Sequence, residues 1–66
     1  MGNLYETLRR IEGEIERRRL PLYRTRGLIA QKTGFVLGDI NADTPDDPRM
    51  LESLTAAARE VLGEGF

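Results

Sequence analysis

The sequence predicts an all-α fold, a small three-helix module that occupies residues 1–66 as one domain. Three observations carry this. Leu4, Leu8, Ile11 and Ile15 recur at helical spacing between charged neighbours, which writes an apolar stripe on a polar helix. Met50, Leu51, Leu54, Ala57, Ala58, Val61 and Leu62 repeat the same period before Gly63. Pro21, Gly34, Asp47-Pro48 and Gly63 stand where helices start and stop.

The first helix is expected over 3–19. Asn3 is a suitable N-cap, Glu6 stands three residues on as in a capping box, and Pro21 forces an end near Arg19 or Leu20. Glu6 with Arg10 and Glu14 with Arg18 are i,i+4 pairs in the favourable order, each worth about 0.2–0.5 kcal/mol. Gly13 costs the helix roughly 1 kcal/mol and falls opposite the Leu4 stripe, on the solvent side or against a close partner, the solvent side being the simpler reading.

A second helix is expected over 21–33, with Pro21 at its first position and Gly34 as its stop. Phe35 then folds back toward Ile29 and Ala30, and Leu22, Tyr23, Ile29 and Ala30 share one face. A competing reading comes from Gly27, which interrupts that helix. Leu28-Ile29-Ala30 and Phe35-Val36-Leu37 flank Gln31-Lys32-Thr33-Gly34 as the arms of a hairpin flank its turn. Short apolar runs do not separate the two by periodicity, so the alternative architecture is two helices flanking a short β-hairpin.

Residues 38–47 form a polar connection in which Ile40, the one large apolar side chain, pins the loop to the core. The third helix is expected over 48–62, with Asp47 as N-cap, Pro48 at N1 and Gly63 as stop. Ala57 and Ala58 let a neighbouring helix approach closely. Glu64-Gly65-Phe66 reads as a frayed tail.

A chain of 66 residues buries a modest share of its surface and gives one core little margin without reinforcement. The absence of Cys removes disulfides and thiolate chemistry; the absence of His removes the commonest metal ligand and the near-neutral acid–base group. Self-association is the reinforcement left. The expected function is therefore a homo-oligomeric protein–protein interaction module without catalytic activity. Its interface is expected to be Leu4, Leu8, Ile11 and Ile15 of the first helix, with Leu22, meeting a partner helix. No nucleophile has a base spaced beside it, Gly34-x-x-x-Gly38 lacks the Lys-Ser/Thr of a phosphate loop, and no cofactor is expected.

Charge is segregated along the chain. Residues 1–34 carry eight basic and four acidic groups, residues 35–66 two basic and seven acidic. Five arginines fall in ten positions, Arg17, Arg18, Arg19, Arg24 and Arg26, with Tyr23 among them. A guanidinium donates two parallel hydrogen bonds to a phosphate, so the alternative function is a small nucleic-acid-binding regulator using this tract, with Thr25, Gln31 and Lys32 completing a helix-turn-helix-like reader. The net charge of −1 opposes the long-range attraction that dominates such binding, which makes nucleic acid the second choice.

Asp39-Ile-Asn41-Ala-Asp43 reproduces the D-x-N-x-D opening of a calcium loop, and Gly38 to Asp43 resembles the dockerin segment over these six residues. The pattern then breaks. Thr44 stands where the turn needs Gly, Asp46 where an apolar residue is usual, and Met50 where the last acidic ligand belongs. Helix-entry chemistry accounts for these aspartates, and no metal is expected. No apolar run is long enough to span a bilayer, and Glu6 stands where a myristoylation signal after Met1-Gly2 wants Ser or Thr, so no membrane association is expected and a cytoplasmic location is the default.

Overall fold

The structure, a computed structural model, describes residues 3–63, 65 and 66. The Met1-Gly2 start and Glu64 lie outside the described residues. Three helices follow one another: α1 over Asn3–Arg17, α2 over Leu22–Thr33 and α3 over Pro48–Leu62, with a single 3-10 turn at Leu37–Asp39. No strand occurs among the described residues, so residues 21–37 resolve as helix and extended connection in place of a hairpin.

The stripe of α1 is covered by its own chain. Leu4, Ile11 and Ile15 are fully buried and Leu8 nearly so, packed in one cluster with Ile29 of α2, Leu37, Ile40, and Leu54, Ala57, Ala58 and Leu62 of α3. Each large aliphatic side chain buried this way contributes about 1.5–3 kcal/mol. The expectation that Leu4, Leu8, Ile11 and Ile15 form an interface is therefore corrected: they are the core. Leu22 is half-buried against that core as well. The physical reason is economy of small residues, since Ala57 and Ala58 on α3 bring the third helix close enough for three short helices to enclose one apolar centre.

The helix ends differ in detail from the sequence reading. Asn3 already lies in α1, and the Leu4 amide donates to Asp46 Oδ1 at 3.1 Å, so the cap comes from the far side of the chain and not from an Asn3–Glu6 box. At the other end α1 stops four residues before Pro21. Arg19 adopts a left-handed φ of 58°. Its amide donates to Glu16 O and the Leu20 amide to Ile15 O, both at 3.0 Å, which is a Schellman ending with arginine where glycine is usual.

α2 begins after Pro21, whose carbonyl accepts both the amide and the hydroxyl of Thr25, at 3.0 and 2.8 Å. That satisfied hydroxyl lets Thr25 sit buried beside Ile29, a core position the apolar pattern alone does not mark. Gly34, with φ 80°, closes the helix by donating to Ala30 O at 2.9 Å, and Phe35 folds back onto the core as expected. Ile40 is buried and pins the connection. Asp47 caps α3, its side chain accepting the Arg49 amide at 2.9 Å. Phe66 is not frayed: it packs against the core, and its ring lies 5.4 Å from the Arg10 guanidinium.

Candidate interaction face

The side chains that this fold leaves uncovered lie together in sequence. Among the described residues, Leu20, Tyr23, Leu28 and Val36 are the exposed large apolar ones, with Tyr23 82% and Val36 63% accessible. The core-facing line of α2 is Leu22, Thr25 and Ile29, and Tyr23 falls off it onto the outer surface. Of the four residues expected to share one face, Leu22 and Ile29 turn to the core and Tyr23 turns outward, while Ala30, half-buried against the core, also lines a groove with Tyr23.

Tyr23, Gly27 and Ala30 follow one another at helical spacing and, with Val36, Leu37 and Gly38, line an open groove of about 330 Å³ between α2 and the 3-10 turn. Two glycines keep it open. A Cβ at Gly27 would meet nothing within 4 Å, and one at Gly38 would meet Arg26 Nη2 at 3.7 Å. Arg26 is the charged residue of the lining. Its side chain is only 22% accessible; Nε lies 3.3 Å from Glu12 Oε2 of α1, without the alignment of a hydrogen bond, while the guanidinium end reaches Gly38.

The arginine tract does not form one surface. Arg17 and Arg18 both close on Glu14, at 2.6 and 2.7 Å, and Arg18 also donates through Nη1 to Leu62 O, capping the C-terminus of α3. The two guanidinium groups hold the Glu14 carboxyl below its ordinary range, chiefly through the Arg17 hydrogen bonds and then that of Arg18. Arg26 turns inward to Glu12, and Lys32 pairs with Glu60 at 3.3 Å. Arg19 and Arg24 are exposed and make no ion pair among the described residues.

In the aspartate segment, Asn41 Oδ1 accepts the Asp43 amide at 2.8 Å and Thr44 Oγ1 accepts the Asn41 amide at 2.9 Å, a side-chain-closed turn. Asp46 and Asp47 are spent on the N-termini of α1 and α3. Val36 and the two groove glycines were not singled out by sequence reasoning as a site. Their signal was the uninterrupted stretch 17–38, which holds six cations, no acidic residue and, among the described residues, the four exposed large apolar side chains. No described helix is long and apolar enough to cross a membrane. No family model, curated protein or solved structure matches the chain.

Proposed function

We propose that this chain is a protein–protein interaction module, a binding unit and not a catalyst, whose recognition face is the groove between α2 and the Val36–Gly38 turn. The observation that carries the reading is the pair Tyr23 and Val36, two large apolar side chains held open to solvent on either side of an apolar hollow. A tyrosine offers broad apolar area and a polar tip at small entropic cost, which is why it anchors interfaces. The hollow is of a size to receive an apolar anchor from a partner segment. Relocating the interface from α1 to α2 follows from the burial of Leu4, Leu8, Ile11 and Ile15, and self-association becomes one of several ways to cover the face.

The nucleic-acid alternative loses support because the tract is divided: Arg17 and Arg18 are hydrogen-bonded to Glu14, while Arg26 turns away to the groove beside Glu12, so the five arginines do not present one phosphate-binding surface. A photo-crosslinking residue in place of Tyr23, in full-length protein produced in its host, tests the reading. A protein adduct that disappears with Val36→Asp is expected. An adduct sensitive to nuclease and not to protease, or none above that of a crosslinker placed in α3, overturns it.

A further inference from the structure

Resting on that reading, we infer that the occupant of the groove is an acidic amphipathic segment of a different protein, its apolar side chains entering between Tyr23 and Val36 and its carboxylates meeting Arg26 and Arg24. Charge decides the class. α2 carries Arg24, Arg26 and Lys32 and no acidic residue, and the acid-free stretch extends from Arg17 to Gly38. Arg26 brings a guanidinium to an otherwise apolar lining with one imperfect ion pair, so its remaining donors are available to a carboxylate at the groove. Glu12 and Glu60 face Arg26 and Lys32 from α1 and α3, so the attraction for a partner of opposite sign rests on exposed Arg24 and on the Arg26 donors that Glu12 leaves unused.

A second copy does not meet these requirements. Two α2 faces in contact would set Arg24, Arg26 and Lys32 against their own images. The acidic connection of this chain, Asp39 to Asp47, has Ile40 as its one large apolar side chain, and Ile40 is buried in the core. Among the described residues, none of the exposed large apolar side chains belongs to an acidic segment, so the chain does not hold the acidic and apolar halves of the ligand together. The choice of a protein segment over nucleic acid follows from the apolar lining around Val36, which offers a phosphate backbone no side-chain donor beyond Arg26 and the Tyr23 hydroxyl.

The test uses three short helical peptides with leucines at i, i+3, i+4 and i+7 and with Glu, Gln or Lys at the flanking positions, titrated into the full chain and followed by amide chemical shifts. The Glu peptide is expected to move the resonances of Tyr23, Gly27, Ala30 and Gly38, and to bind on the order of tenfold more tightly than the Gln peptide, with the difference shrinking in salt. Tyr23→Ser should weaken every peptide, whereas Arg24→Gln should weaken the Glu peptide alone; both positions are exposed, and unchanged melting verifies that the variants fold. Equal binding of all three peptides in the groove overturns the acidic occupant and leaves the groove itself standing. Failure of every peptide to move these resonances overturns both. Concentration-dependent shifts of the same residues without peptide would assign a second copy, and duplex DNA binding there more tightly than the Glu peptide would assign nucleic acid; either outcome sinks the inference.

Discussion

The carboxylate of Asp46 accepts the backbone amide of Leu4 at 3.1 Å, joining the entry of the third helix to the first turn of the first across 42 positions of sequence. One aspartate thus supplies a helix N-terminus with the acceptor and the negative charge that both its free amides and its dipole favour. The adjacent Asp47 does the same for α3. Two neighbouring carboxylates therefore tie two helix ends together.

Asp46→Ala should lower stability by about 0.5–2 kcal/mol, and Asp47→Ala by a similar amount, whereas Asn3→Ala should change it little. For a domain of this size each kcal/mol moves the melting midpoint by about 4–8 °C, so thermal melts resolve the order. An Asn3 variant as damaging as the Asp46 variant would restore the local cap.

Millimolar calcium should leave the wild-type midpoint where it is in chelator. A ligand that binds only the folded state stabilises it in proportion to the logarithm of its concentration over its dissociation constant. A rise of several degrees abolished by Asp39→Ala or Asp43→Ala would show that the D-x-N-x-D pattern holds a metal despite the side-chain-closed turn at Asn41.

Backbone conformation gives a signed set of three variants. Gly13 lies exposed inside α1 with open space around a new Cβ, so Gly13→Ala should stabilise by about 1 kcal/mol. Arg19 holds a left-handed conformation that costs an L-residue about 1–2 kcal/mol, so Arg19→Gly should be neutral to stabilising. Gly34, at φ 80°, should lose roughly 1 kcal/mol on replacement by Ala. Urea titrations at constant slope would check all three.

Ile11→Asp should abolish cooperative folding, because a carboxylate placed at a position with no solvent access has no partner there. Tyr23→Ser, at an exposed position, should melt within about 0.5 kcal/mol of wild type. Circular dichroism on heating distinguishes a core stripe from a binding face.

Glu14 provides the pH dependence. Its folded-state carboxyl titrates below the ordinary value of 4.5 because Arg17 and Arg18 stabilise the charged form. The stability it contributes is therefore present in full above about that value and is lost as pH falls through the lower folded-state value. Glu14→Gln should be less stable than wild type at neutral pH, with the gap closing in acid. A gap that persists unchanged at the acid end would assign the loss to packing.

The sequence by itself determined the first and third helices, because apolar period, Asp47-Pro48 and Gly63 act through neighbouring residues whose geometry is local; it left residues 21–37 between a helix and a hairpin, and α1 ends at Arg17, short of the Arg19 or Leu20 that Pro21 implies. It marked all four large side chains of the α1 stripe, which end up in the core. What it left open was which surface covers that stripe: a periodic pattern states that a face is buried and is silent on whether the cover is cis or trans. Tertiary structure decided that through Ala57 and Ala58, whose small size lets α3 close on α1 and α2 within one chain. The same packing moved the candidate binding face from Leu4, Leu8, Ile11 and Ile15 to Tyr23 and Val36. Those two line one groove only because a helix and a turn fold against each other, and nothing in local periodicity encodes that approach. The arginine tract divided likewise, Arg18 onto the end of α3 and Arg26 onto Glu12, since a long charged side chain takes the partner that packing brings within reach.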